Sequence, residues 1–515
     1  MLIAIITSCS DKQNKLPDNV LDVLVLSGAN RSELEKVIDE YQSKEDALKL
    51  KAAYFLLGNM KDKGYAEFEV SDADNEIIGF RALDYANYNG MTQAWDSIVK
   101  VRGKLHQQRI KWVPDYEFIS SEYLINNINQ AFNVWENNPW TKFLSFDQFC
   151  EYILPYRSTN EPMEDWRGHF EEKYTWLKDS IQNVGDPVEA CAWINSDIKS
   201  WFTFDPRFYE HATDLGLTDM VEGKMGRCED MTNLAIYAMR ANGVPVMSDY
   251  TPYWAKSGNN HAWNAVLGAD EKVNIFMGGE ANPGHYKLGQ AKAKVYRKTF
   301  ALQPNSLAAI LKVNEKAPKY INRNGIVDVT REYVPVSDVE LQLETDIPVG
   351  QRFAYLCVFN TGEWKAIHWS FIGDNKKVKF TDMGKDIAYL PAYFVDGKII
   401  PAGKQFILSN DGKIEVNNPD LTDKITLNLI STTKRVTSET TDHVEEVFLK
   451  TGETFELFYW DGKWVSLGEQ KATGKALEFK NVPSGAMYWL VNTTPTKDRP
   501  ERIFTLDKVG KQIWW

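Results

Sequence analysis

The spacing of apolar residues changes character twice along the chain. Between residues 20 and 200 it has a helical period. SELEKVIDEYQSKEDALKLKAAYFLLGNM repeats its apolar positions on one helical face and stops at Gly58-Asn59. DYEFISSEYLINNINQAFNVWENNPW, KYTWLKDSIQNV and PVEACAWINSDIKSWF continue the pattern. Together they predict a mainly helical region with a core of its own.

Between residues 200 and 300 helix and strand mix. In GRCEDMTNLAIYAMRANGVP, residues 226–245, the side chains of Met231, Leu234, Ala235, Ala238 and Met239 share one stripe. Asn242-Gly243 and then Pro245 stop that helix. VPVMSDYTPYW, HAWNAVL and KVNIFM read as strands. Past residue 325 short alternating runs take over, among them VELQLETD, RFAYLCVFN, KITLNLIS and TFELFYWDGKWVSL. Asp396-Gly397, Asp411-Gly412 and Asp461-Gly462 mark turns between them. This spacing predicts two β-sandwich-like modules, parted near Pro419–Asp423. A chain of 515 residues exceeds one compact domain. The expected architecture is α+β and multidomain: a tether over 1–19, a helical domain over 20–184, a mixed core over 185–320, and modules over 321–420 and 421–515.

Composition narrows the function. The net charge is −12 and no run of five Lys/Arg occurs, so nucleic acid is not an expected partner. No apolar run approaches the ~20 residues of a membrane span. The five cysteines are scattered and form no C-x-x-C, which argues against a zinc ribbon, a thioredoxin-like site or a disulfide framework. Cys150 and Cys191 read as small buried hydrophobes. His169 and His285 lack metal-ligand spacing, and no metal or cofactor is expected. Trp254 and Trp263 are candidates for the wall of a substrate cleft, or for core.

The stretch MLIAIITSCSDK is a separate signal. A short apolar run leads through Thr7-Ser8 to Cys9 and a polar tether. It resembles the end of a bacterial lipoprotein signal, although basic residues before the apolar run are missing. The resemblance implies lipidation of Cys9, a cell-envelope location and membrane contact only through the lipid anchor.

The candidate chemistry lies between residues 226 and 280. Cys228 opens its helix, where unpaired N–H groups and the helix dipole favour an anion and bias a thiol toward thiolate. Thirty-three positions on, His261 opens the strand HAWNAVL. A thiol nucleophile needs an imidazole to take its proton and return it to the leaving group. The imidazole needs a third group to fix its tautomer. The oxyanion needs backbone N–H donors, which a helix start supplies. Glu229 and Asp230, beside the thiol, oppose the thiolate.

Gly226, Cys228, Asp230, Arg240, Gly243, Val244 and Pro245, followed by His261, Ala262 and Trp263, resemble the transglutaminase-like superfamily, a branch of the papain-like cysteine fold. The helical front and β-rich back also resemble large lipoproteins of Bacteroides-type bacteria. The resemblance implies a papain/transglutaminase-like core, with Cys228 as nucleophile and His261 as base. The family places an Asp on the next strand, but Met277 stands at about that position here. If 268–271 is the turn, Leu267 pairs with Lys272 and His261 with Gly278. Glu280 is then the diagonal neighbour on the same face and the candidate third member. Asn264 faces the other side of its strand. A site lacking a third member stays open.

These readings lead to an expected cell-envelope cysteine enzyme acting on peptide or carboxamide bonds through a thioester. Hydrolysis, as a protease or amidase, ranks ahead of transamidation. The expected substrates are peptides, glycopeptides or cell-wall material. The alternative is an inert surface lipoprotein that binds glycan or protein, since a catalytic fold can persist without catalysis. The sequence carries no signal for the oligomeric state.

Overall fold

The computed structural model describes residues 16–208, 211, 213–436, 443–494 and 501–515. Cys9 and its flanking stretch lie outside the described residues.

The N-terminal region is helical, with helices at Asp18–Leu26, Arg31–Glu40, Ala47–Gly58, Tyr88–Arg102, Ser121–Asn137 and Phe146–Tyr152. It also holds a feature the helical pattern conceals. Gly64–Ser71 pairs with both Ile77–Ile78 and His106–Pro114 in a three-stranded antiparallel sheet. The signal is a period of two in GYAEFEVS and in QRIKWVP, masked by their polar residues.

The middle of the chain builds a five-stranded antiparallel sheet. Its order is Ile326–Asp328, Tyr296–Lys298, Val246–Thr251, His261–Leu267 and Val273–Phe276. The edge strand comes from beyond residue 320. Both central strands are buried along their whole length. Met247, Ala265 and Leu267 enter the apolar cluster of the N-terminal helices. Val246, Val266 and Phe276 pack with the helix Cys228–Ala241. That helix is buried on every side from Asp230 to Ala241, not along one stripe. Its polar side chains are partnered accordingly: Arg240 donates to the Tyr152 and Arg157 carbonyls, and Asn233 bonds Ser158 and Thr159. Gly243, at φ 71°, supplies the left-handed stop.

Among the described residues, the C-terminal half is built of strands, with no helix beyond the short helix Thr330–Tyr333 and one 3-10 turn. One six-stranded sheet includes Phe353–Asn360, Glu363–Phe371 and Ile387–Val395, and a later five-stranded sheet runs in the order Trp464–Lys471, Thr454–Trp460, Tyr488–Asn492, Ile503–Leu506, Gln512–Trp514. These sheets share a core with the middle of the chain. Tyr250, Ala262 and Tyr296 belong to one apolar cluster with Phe353, Trp364, Trp460, Ile503 and Trp515. At the junction Phe359 contacts Trp364, Trp464 and Trp489 at ring distances of 5.5, 5.7 and 5.2 Å. The indole N–H groups of Trp364, Trp460 and Trp489 have no hydrogen-bond acceptor among the described residues; Trp364–Trp460 and Trp460–Trp464 meet edge to face instead.

Candidate active site

Topology brings Cys228 and His261 to one end of the helix–sheet pair. The tight link Asn242–Pro245 reverses the chain from the helix into the strand Val246–Thr251. The hairpin to His261–Leu267 reverses it again, with Thr251 opposite His261. The second strand therefore runs parallel to the helix, and both begin at the same end. Asn264 braces them: its amide donates to the Thr232 carbonyl at 3.1 Å and accepts from Gly278 N–H at 3.2 Å. Gly278 is a forced choice, because a Cβ there would lie 2.4 Å from the Met231 carbonyl oxygen. Asn264 is thus spent on structure, away from the imidazole, as its strand face implies.

Cys228 is half-buried and borders the apolar cluster that contains Trp254, Trp263 and Tyr286. The four cysteines among the described residues form no disulfide. The acidic residues next to Cys228 are offset by cations. Glu229 pairs with Lys298, and Arg227 pairs with Asp214 at 2.6 Å. Asp230 accepts from the backbone N–H of Arg227 and Leu215, both at 2.9 Å. Burial, and then the Asp214 charge, push the Asp230 carboxyl above the usual carboxylate range.

His261 is 8 % exposed. Its ring lies against both Trp254 and Trp263, at 6.0 and 5.9 Å, and the two indoles are themselves 6.3 Å apart. Burial holds its pKa down to about 4, so the ring is neutral over the ordinary range. The hydroxyl of Tyr286 lies 2.8 Å from Nε2. Trp254 and Trp263 are 3 % and 0 % exposed, so they hold the imidazole and present no open wall to substrate. The Trp263 indole donates to Tyr333, whose hydroxyl bonds Asp249 within the Asp249–Arg297–Glu332 ion cluster.

Glu280 does not reach this arrangement. The hairpin register pairs Leu267 with Val273, one residue away from the expected pairing, and the strand ends at Phe276. Gly279, at φ 69°, then turns the chain within the closed loop Met277–Ala281. Glu280 is left exposed on that turn, with Lys199 as the charge acting on it. The diagonal-neighbour geometry fails because no strand continues to residue 280.

Tyr286 escapes a reading based on period or motif. Its local signal is Asn282-Pro283-Gly284-His285, a turn closed by His285 N–H to the Asn282 carbonyl at 3.0 Å. Pro283 and Gly284, the latter at φ 81°, fit the central positions of a type II turn. Asn282 fastens this turn to the helix Pro187–Trp201 through Asn195 and Ser196 at 2.9 and 2.8 Å. The phenol that follows is carried to the ring from a fixed base.

Residues 175–272 match the family model described as the transglutaminase-like superfamily, and the chain carries a domain of that superfamily. Two solved structures show weaker likeness. A candidate cysteine protease from Cytophaga hutchinsonii is 18% identical over 27% of this chain and 44% of its own, less than half its length, with a TM-score of 0.21. Red sea bream transglutaminase is 10% identical over 69% of this chain and 78% of its own, with a TM-score of 0.26. Neither likeness is close enough to carry over an architecture or an activity. No curated protein matches the chain. Among the described residues no group of His, Cys, Asp and Glu could hold a metal ion, and no helix is long and apolar enough to cross a membrane.

Proposed function

We propose that the chain is a cysteine enzyme that cleaves peptide or carboxamide bonds through a thioester. Cys228 attacks the carbonyl and His261 takes the thiol proton. The tetrahedral intermediate expels its amine, protonated by the imidazole, and leaves the acyl group on sulfur. Water, deprotonated by the same ring, then releases the acid. The helix start offers backbone N–H groups, including that of Cys228, to the oxyanion. Tyr286 takes the place of the third member: engaging Nε2, it directs Nδ1 to the thiol. In this tautomer Nε2 carries the proton and the phenol oxygen accepts it.

The supporting observation is the bond from Tyr286 to a buried, neutral His261 whose flanking indoles share an apolar cluster with Cys228. Site and fold also fit amine acceptors, so transamidation is the second outcome of the same thioester. The apolar stretch before Cys9 supports action at the cell envelope, on peptide, glycopeptide or cell-wall material.

The test is the alkylation of Cys228 by iodoacetamide, followed by mass spectrometry from pH 4 to 9. An enzyme shows a rate that falls on His261→Ala replacement, and acyl-enzyme accumulation with amide substrates that Cys228→Ala abolishes. A rate indifferent to His261 favours the inert surface binder. Replacing Cys9 by Ser should release the protein from the membrane fraction if the anchor is real.

A further inference from the structure

We propose that Asn360 and Arg502, one from each C-terminal β module, are positioning residues for His261, acting through the loop that carries Trp254. The proposal rests on the catalytic reading of Cys228 and His261.

The loop joins Thr251 to His261, and its only described backbone bond to itself runs from Trp254 N–H to the Asn259 carbonyl, at 3.1 Å. Its remaining order is imposed from outside. The Asn360 amide donates to the carbonyls of Trp254, Ser257 and Asn259 at 3.0, 3.0 and 2.9 Å. The Arg502 guanidinium donates to the Ala255 and Ser257 carbonyls at 2.8 and 3.2 Å, and its Nε to the Trp515 carbonyl at 2.9 Å. Two side chains therefore collect four carbonyls, those of Trp254, Ala255, Ser257 and Asn259, in the segment whose indole lies against the catalytic ring.

Neither residue is an ordinary choice for a junction between modules. Asn360 is fully buried and Arg502 is 2 % exposed. The hydrogen bonds of Arg502 among the described residues all end on main-chain oxygens, those of Ala255, Ser257 and Trp515, and none on an acidic side chain. A buried guanidinium gives up hydration that an apolar side chain does not have to lose. Burial accordingly pulls the guanidinium down to about 9. A junction selected for cohesion alone is better served by a Leu or Met. What the guanidinium adds is a rigid fork able to hold several carbonyls in place.

The approach is close on both sides. Asn360 ends its strand just before a two-residue turn, Thr361-Gly362, with both residues at positive φ. The Thr361 methyl would lie 3.2 Å from a Cβ at Gly258. Lys256 pairs with Asp386 at 2.8 Å and lies over the Trp515 ring at 4.7 Å. The β modules thus form the outer half of the mould in which Trp254 and His261 are set.

The experiment uses the full chain with Asn360→Leu, Arg502→Met and Arg502→Lys. Two readouts are taken: the His261-dependent part of Cys228 alkylation by iodoacetamide across pH, and amide hydrogen exchange. Asn360→Leu and Arg502→Met should each lower the His261-dependent rate about tenfold, the loss expected of one or two hydrogen bonds. Arg502→Lys, which keeps the charge and loses the fork, should recover part of it. Amide exchange should rise over residues 254–261 and stay unchanged elsewhere in the modules. If Arg502→Met does not fold, Asn360→Leu and Arg502→Lys decide. Folded variants with wild-type rate and wild-type protection of the loop overturn the proposal. So does a loss of protection spread evenly over both modules. A wild-type rate that ignores His261 sinks the catalytic reading and not the clamp, which hydrogen exchange then judges alone.

Discussion

At the scale of single residues, the proposed site differs from a cysteine–histidine–carboxylate triad in one group. A carboxylate on Nε2 would stabilise an imidazolium; a phenol holds the tautomer and adds no charge. Tyr286→Phe should therefore lower the His261-dependent rate about tenfold, through one lost hydrogen bond, and leave the fold intact. Thermal unfolding and alkylation kinetics on the same sample check both halves. The ring's own titration affects stability. An unfolded histidine binds its proton near pH ~6.5, while His261 in the folded chain binds it only near about 4. The unfolded state thus holds more protons between those values. Stability is complete above pH ~6.5 and declines as pH falls toward 4, by up to about 3 kcal/mol from this group. His211 and His368, both lowered by burial, act in the same direction. In urea titrations at pH 4.5 and 7, His261→Gln should show a smaller difference than the parent. An equal difference would contradict the assignment.

At the scale of elements, the helix Cys228–Ala241 and the chain just beyond the strand Val273–Phe276 approach so closely at Gly278 that a methyl is excluded. Gly278→Ala places that methyl against the Met231 carbonyl and should cost about 1–3 kcal/mol. Asn264→Ala strips the Thr232 carbonyl and Gly278 N–H of their partner and should cost a similar amount. Denaturant midpoints measure both; a change below about 0.5 kcal/mol would show that the brace is dispensable. These elements were legible in the sequence, because period and stop signals are local. Cys228 at a helix start and His261 at a strand start both follow from them. The third group was not legible. Its placement depends on the strand ending at Phe276 and on a turn at Asn282–His285, and neither is set by hydrophobic period. The all-round burial of the Cys228 helix was hidden for a related reason: what covers its polar side lies far away in sequence, at residues 152–159.

At the scale of the whole molecule, alternation announced the β-rich half but not its attachment. Alternating runs identify strands and say nothing of which surfaces meet. The cluster joining Tyr250 and Ala262 to Trp460, Ile503 and Trp515 crosses both boundaries expected in the C-terminal part of the chain, at 320/321 and 420/421. Removing residues 421–515 should expose that cluster and remove Arg502. The shortened chain should then melt well below the parent and bind hydrophobic dye. Calorimetry of the full chain should show the middle and C-terminal parts unfolding in one transition. A separate early transition for residues 421–515, with the rest unmoved, would count against this.

The tryptophans around Phe359 give that cohesion an optical signature. Trp364 is buried and Trp464 and Trp489 are half-buried against the same apolar cluster, so their emission belongs at shorter wavelength while the seam is closed. Water admitted between the modules should shift it to the red before the backbone unfolds. Because Phe359 adjoins Asn360, the protein's own fluorescence can follow the loosening of the support of the loop that carries Trp254 without any label.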